Sequence, residues 1–305
     1  MTSTPNQPPS SSDSAASGSD RAIRVMTNDH AFRVIAASTT HSAREVLERQ
    51  HVTGDAAHAL VDLVTSAVLL RETMAPNIRV QGLVRGAGGK GTLVGDSFPD
   101  GAVRGLAQLK KNAAGVVDSA AFSLGPGSHL QMMRSLVNGA LQQGIVDVAE
   151  AGGIGEALGL YFTESEQLVC VARVGSRFDG DKLVASGGFV VQLLPEAERP
   201  AHMIMTQRLE DFPSITSFLE QEGFSAQILV DEIVHGMPHT ELGTSEIFFR
   251  CRCNETLVLS ALSSLSKDDI QSMVDDGEGL EIHCDYCGKD YVVAIERLRA
   301  LLTES

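Results

Sequence analysis

FRCRCNETLVLSALSSLSKDDIQSMVDDGEGLEIHCDYCGKDYVV (249–293) carries four cysteines in two close pairs, Cys251 with Cys253 and Cys284 with Cys287. The pattern is C-x-C, thirty intervening residues, then C-x-x-C. Residues two apart on an extended strand share a face, so Cys251 and Cys253 can both aim at one ion. HCDYCG (283–288) has the two-residue gap of a zinc knuckle, with Gly288 free to take the positive φ such a turn often needs. Four thiolates suit a tetrahedral zinc at about 2.3 Å per bond, and a site with no open position is structural rather than hydrolytic. His283 could compete for a ligand place, but its nearness to Cys284 marks it as a supporting group.

Such a module admits two readings. One is a static zinc ribbon that only holds the tail together. The other is a redox switch. Zinc keeps the sulfurs as thiolates, the reactive form, although coordination tempers their nucleophilicity. Each sulfur has a partner two or three positions away, so a sulfenic acid formed on one can be captured by the other. A C-x-C disulfide closes a tight ring, strained and easily reduced. Oxidation would expel the metal, and metal binding of about 10 kcal/mol or more is folding energy for a module this small.

Upstream, residues 31–37 (AFRVIAA) are strand-like and a helix is expected across 41–50. A second helix has Asp55 as its N-cap and Leu60, Leu63, Val64 and Ala67 on one face, closed by Pro76. IRVQGLVRG (78–86) and GTLVGDSF (91–98) read as strands joined by a hairpin turn at Gly88, Gly89 and Lys90. IGEALGLYFTESEQ (154–167) is helix-like, LVCVARV (168–174) an apolar strand, and GGFVVQLLP (187–195) a buried strand stopped by Pro195. Three short helical patterns broken by Pro213, Gly223 and Gly236 fill 196–240, a hinge-like linker with few aromatic anchors. The expected organisation is therefore a tail (1–20), an α+β core (21–195), a helical linker (196–240) and the zinc module (241–305), which ends in a helix at 295–302.

The 305-residue chain is 43% hydrophobic and 21% charged, an ordinary globular balance. Its net charge of -15 argues against nucleic-acid partners, and no apolar run is long enough to span a membrane. Residues 1–20 are rich in Ser and Pro and read as a disordered tail without an export signal, which makes the cytoplasm the default compartment. There, closely spaced cysteines mean metal or redox chemistry more often than permanent disulfides.

Other features have plainer readings. Cys170 lies in an apolar run and behaves as a small hydrophobe. RGAGGKGT (85–92) lacks the Ser or Thr of a phosphate loop. His235 and His239 are exposed loop residues, because Gly236 and Pro238 spoil a helix. Asp268 and Asp269 start a helix at 267–274, and Asp275 and Asp276 lie in the turn after it. No Ser-His-Asp arrangement or paired carboxylates stand out, and no enzyme activity is expected. A thiol–disulfide oxidoreductase is disfavoured because its C-x-x-C opens a helix after a strand, whereas here the motif follows LEIH.

With these motifs in hand, the chain resembles the heat shock protein 33 family of redox-regulated holdase chaperones. Residues 249–293 resemble that family's whole zinc module, including the aromatic soon after the last cysteine. YFTESEQ (161–167) resembles its tyrosine-containing SEQ motif, GGFVVQLLPEA (187–197) its GG-x-x-x-Q-x-x-P strand, and DGAVRGLAQ (100–108) its R-G turn. Two positions depart from the pattern: Asn254 stands where Ser is common, and Leu106 where Tyr is often seen.

The resemblance implies an α+β body of antiparallel hairpins with packed helices. It implies a reduced form that holds one zinc ion and is inactive as a chaperone. Oxidation would form Cys251–Cys253 and Cys284–Cys287 disulfides, release zinc and unfold the module and linker. The activated protein, often a dimer, would then hold unfolding client proteins without ATP. A constitutive zinc-ribbon binding protein with no redox cycle is the competing expectation.

Overall fold

The computed structural model describes residues 19–111, 117–136, 138–195, 197 and 199–303. Strands β1 (Arg21–Thr27) and β2 (Phe32–Ser38) lead into helices α1 (Thr40–Gln50) and α2 (Gly54–Glu72). Five strands follow: β3 (Arg79–Arg85), β4 (Thr92–Ser97), β5 (Ala102–Gln108), β6 (His129–Ser135) and β7 (Leu141–Asp147). Then come α3 (Val148–Ala151), α4 (Ile154–Glu164), β8 (Cys170–Asp179) and β9 (Lys182–Leu193). The linker segment forms α5 (Arg199–Asp211), α6 (Ile215–Leu219) and α7 (Ala226–Ile233), before β10 (His239–Glu246) and β11 (Phe248–Phe249). The C-terminal part holds α8 (Glu255–Leu262), α9 (Lys267–Asp275), β12 (Leu280–His283), β13 (Asp290–Val293) and α10 (Ile295–Thr303).

Two sheets build the body, in the orders β10-β1-β2-β9-β8 and β11-β5-β4-β3-β6-β7. All neighbours pair antiparallel except β11, which lies parallel to β5. The fold is thus the α+β class expected. The turn at Gly88 and Gly89 is a hairpin, closed by the Gly86 N–H donating to the Gly91 carbonyl at 3.0 Å.

Helix α2 packs against strands of both sheets. The sequence shows one apolar face, yet Ala56, Ala59, Val61 and Val68 are buried as fully as Leu60 and Leu63. A helix apolar on all sides is what a sandwiched position demands. Its N-cap position is Thr53; Asp55 sits inside the first turn, where its charge faces the positive end of the helix. The helix lies close on β3–β5 because Gly82, Gly95 and Gly105 form a row across the strands. A Cβ on Gly95 would stand 3.1 Å from the Val64 nitrogen. Arg104-Gly105, expected as a turn, is therefore mid-strand: the glycine serves close approach rather than chain reversal.

The inner strands β1, β2 and β9 of the five-stranded sheet are buried on both faces. Ile35, Ala37 and Val190 face the α2 core, while Phe32, Val34, Phe189 and Val191 face α5–α7. This two-sided burial explains the continuous apolar runs of β2 and β9, since alternate residues must all be apolar. The linker helices break at Pro213, Gly223 and Gly236 as expected, but they form a packed layer with aromatic anchors. Phe212 stacks on Phe218 at 4.8 Å and meets Phe189 edge-on at 5.1 Å.

Two boundaries differ from the sequence reading. Asp20, assigned to the tail, is buried, and its carboxylate accepts from the Ser42 N–H at 2.6 Å and hydroxyl at 2.8 Å, capping α1 from a distance; residues 1–18 lie outside the described residues. Position 241 falls inside β10, which pairs with β1 along its length, so the separately packed C-terminal part begins after Phe249. The SEQ motif closes a bond network: the Tyr161 hydroxyl donates to Glu166 at 2.8 Å, and Arg134 of β6 donates to the same carboxylate at 2.6 Å.

Candidate metal centre

The C-terminal part has a small core of its own, with Leu262, Val274, Val293 and Leu298 as its buried members. Asn254 caps α8, its side chain accepting from the Leu257 N–H at 2.9 Å. Ser is an equally good N-cap, so this departure from the pattern keeps the function of the position. Ser266 caps α9 by accepting from the Asp269 N–H at 3.2 Å.

Between these helices and the β12–β13 hairpin the four cysteines converge. The sulfurs of Cys251, Cys253, Cys284 and Cys287 all lie within 4.8 Å of one another, and none is in a disulfide. Cys251 Sγ is 3.7 Å from Cys284 Sγ, and Cys253 Sγ is 3.4 Å from Cys287 Sγ. A tetrahedral zinc with bonds of about 2.3 Å would set its sulfurs about 3.8 Å apart. The donor set therefore fits one thiophilic metal ion. In the C-x-x-C turn, the N–H groups of Cys287 and Gly288 both donate to the Cys284 carbonyl, with Gly288 at φ +73 as the spacing predicts.

The Tyr291 hydroxyl donates to Cys253 Sγ at 3.1 Å. Burial opposes ionisation of Cys253, but this bond and those from the neighbouring thiols bring it down to about 7. Burial and the other thiols push Cys287 up to about 12, and burial raises Cys251. Four sulfurs this close cannot all be thiolates without a cation among them. His283 stays outside the cluster: its Nδ1 bonds the Asp290 carboxylate at 2.7 Å across the β12–β13 hairpin, so it supports the hairpin rather than a sulfur.

The body grips the C-x-x-C turn directly. Gln50 Nε2 donates to the Asp285 and Tyr286 carbonyls at 2.8 and 3.2 Å, while its Oε1 accepts from the Ala107 N–H at 2.8 Å. Arg49 donates to the Cys287 carbonyl at 3.3 Å. The Arg104 guanidinium stacks on the Tyr286 ring at 3.8 Å and donates to Asp96, a fully buried carboxylate. Asp96 also accepts from Arg79 and Gln81. The aromatic after the last cysteine is Tyr291, here placed on Cys253; sequence reading missed Gln50 and Asp96 as parts of the site, because each acts across a distance in the chain that no local pattern encodes.

Cys170 is a free, half-buried thiol pushed up to about 12 by burial, far from thiolate reactivity. His235 and His239 are exposed, as expected. The fold does bring His58, Asp62 and Ser176 together. The one side-chain bond among them joins His58 and Ser176, however: His58 Nδ1 lies 3.2 Å from the Ser176 Oγ. Among the described residues no carboxylate bonds the imidazole, so the trio is not wired as a proton relay.

Asp62 Oδ1 is sealed from solvent without a partner. Burial raises its pKa to about 7, against the lowering effect of the Ser176 hydroxyl and with help from Glu156. The folded-state value lies above the unfolded one. Charging Asp62 therefore costs nothing at acid pH, and the cost grows from about pH 4 to 7, where it becomes complete. Asp62→Asn should stabilise the protein by roughly 2–4 kcal/mol at pH 8 and by almost nothing at pH 4. Thermal melts at the two pH values check this; equal shifts at both would contradict it.

Among the described residues, no helix is long and apolar enough to cross a membrane. A family model described as Hsp33 protein matches residues 20–294. A 33 kDa chaperonin of Clostridium botulinum is 28% identical over 291 residues, covering 93% of this chain and 97% of its own. That of Syntrophotalea carbinolica is 27% identical over 289 residues, covering 93% and 99%. The crystal structure of the 33 kDa chaperonin from Thermotoga maritima superposes with a TM-score of 0.76 at 25% identity, covering 94% of this chain and 98% of that one.

Proposed function

Because the chain belongs to the Hsp33 family, we propose that it is an ATP-independent holdase chaperone of the cytoplasm, kept inactive while reduced and zinc-bound and switched on by oxidation. One observation carries this reading: four sulfurs from two distant segments meet at one point in a module whose own core is only a few residues. Cys251, Cys253, Cys284 and Cys287 would hold Zn2+, which supplies the cross-link that this core cannot.

The pairing of the sulfurs decides the outcome of oxidation. Disulfides across the centre, Cys251–Cys284 or Cys253–Cys287, would replace the metal cross-link and keep the module closed. Disulfides between chain neighbours, Cys251–Cys253 and Cys284–Cys287, would leave its two halves unjoined. The proposed switch uses the neighbour pairs. Loss of the turn geometry at Cys284–Cys287 would also release the carbonyls that Gln50 and Arg49 hold.

Release then passes to the linker. Helices α5–α7 cover Phe32, Val34, Phe189 and Val191, an apolar sheet face that would suit unfolding clients. Their packing leaves a cavity of about 670 Å³ between β8–β9 and α5–α6, lined by Val171, Phe189, Met205 and Phe212. The freed face would also suit a second activated copy.

The test is aggregation of an unfolding client in the presence of reduced or peroxide-and-heat-treated protein. Suppression only after oxidation, reversed by a thiol reductant, supports the holdase. Equal suppression by both forms would make the protein a constitutive binder, and catalytic turnover of disulfides would make it an oxidoreductase.

A further inference from the structure

Three guanidiniums surround Phe98: those of Arg252, Arg79 and Arg104 lie 4.2, 5.2 and 5.4 Å from its ring centroid. Arg250 stands beside them over the Phe248 ring at 5.0 Å. Arg250 and Arg252 flank Cys251 in the chain. The facing carboxylates are Asp96, paired with Arg79 and Arg104, and Asp100, paired with Arg250 and Arg252. Four arginines thus meet two aspartates, and their excess of two positive charges stands against the two negative charges that four thiolates around one Zn2+ would carry.

Stacking on a phenyl ring fixes a guanidinium without neutralising it. The side chains of Arg250 and Arg252 remain 51% and 42% exposed, so a small solute can reach them. At physiological ionic strength, fields from the distant acidic surface fade within about 8 Å, so the nearest groups decide what a small ion meets: Arg250 and Arg252 beside Cys251, and the exposed Asp285 and Glu255 beside Cys284 and Cys253. Guanidiniums also match carboxylates in shape, by paired N–H donors.

We propose that the arginine cluster around Phe98 makes the Cys251–Cys253 edge of the centre selective for anionic oxidants, carboxylate-bearing disulfides being the class it fits. This deepens the redox reading above and rests on it. In the step, the thiolate of one cysteine attacks a sulfur of the incoming disulfide. The oxidant's S–S bond breaks, a protein–oxidant disulfide forms, and one thiolate leaves. The neighbouring thiolate then attacks the protein sulfur, closing Cys251–Cys253 and expelling the second thiolate. Two electrons pass from the protein to the oxidant, and zinc loses two ligands.

Three disulfides with equal two-carbon arms isolate charge: dithiodipropionate (a dianion), hydroxyethyl disulfide (neutral) and cystamine (a dication). Zinc release from the reduced full-length protein is followed with a chromogenic chelator. Each rate is divided by that of the same disulfide with N-acetylcysteinamide. The normalised rates should fall from dianion to neutral to dication, spanning about tenfold at low salt and narrowing as salt is added. Arg250→Gln with Arg252→Gln should bring the ratio toward one, whereas Asp100→Asn, by unmasking both arginines, should widen it. Equal normalised rates in the wild type, or a ratio that neither variant moves, overturns the proposal. A reduced protein without zinc overturns both this and the metal centre; a zinc-loaded one without charge preference overturns this alone.

Discussion

Cys253→Ser is expected to abolish tight zinc binding and to melt residues 250–303 while leaving the two-sheet body folded. The variant removes one of four converging sulfurs and also the acceptor of the Tyr291 hydroxyl. The module's buried core of Leu262, Val274, Val293 and Leu298 cannot sustain it alone. Metal binding of about 10 kcal/mol or more would here be the folding energy. Chelator competition should show zinc affinity reduced by several orders of magnitude, and hydrogen exchange should show protection lost in α8–α10 but kept in α2 and β9. Cys170→Ser is the control, since this thiol lies outside the cluster. A Cys253→Ser protein that keeps zinc and a protected α9 would refute the ligand assignment.

Asp96→Ala should be the most damaging change outside the cysteines. The carboxylate has no solvent exposure and accepts from Arg79 at 2.6 Å, Arg104 at 2.8 Å and Gln81 at 2.9 Å. Its removal leaves the partly exposed Arg79 and Arg104 guanidiniums without their carboxylate, at a cost of about 2–4 kcal/mol once solvent screening is allowed for. Through a body of this size that corresponds to a loss of about 10 °C in melting temperature. A second effect is functional. Freed from Asp96, Arg104 loses the anchor that holds it against the Tyr286 ring, so the module docks less firmly. Zinc release under mild peroxide and heat should then be faster than in the wild type. An unchanged melting temperature would show that Asp96 does not carry the junction.

The four-cysteine cluster was legible in the sequence because its spacing is local: two residues between Cys284 and Cys287, one between Cys251 and Cys253, and a glycine where the turn needs positive φ. The breaks of the linker helices were equally local, set by Pro213, Gly223 and Gly236. What stayed hidden depends on partners far along the chain. β7 has an exposed, weakly alternating sequence, LQQGIVD, whose strand identity comes from pairing with β6. β10 reads as polar loop and becomes strand by edge pairing with β1. Arg104-Gly105 looked like a turn because glycine marks turns, yet here it admits the close packing of α2. Gln50, a surface-looking residue at the end of α1, becomes the bridge between β5 and the C-x-x-C turn. The linker's role as a covering layer emerged only once Phe212 and Phe218 were seen against Phe189.

Peptide mapping of disulfides, together with a zinc count before and after oxidation, bears most directly on the switch. The reduced protein should carry one zinc per chain; after peroxide treatment it should carry none, with Cys251 joined to Cys253, Cys284 joined to Cys287, and Cys170 still free. A metal-free reduced protein, or bridges running between the two pairs and holding the module shut, would contradict the account.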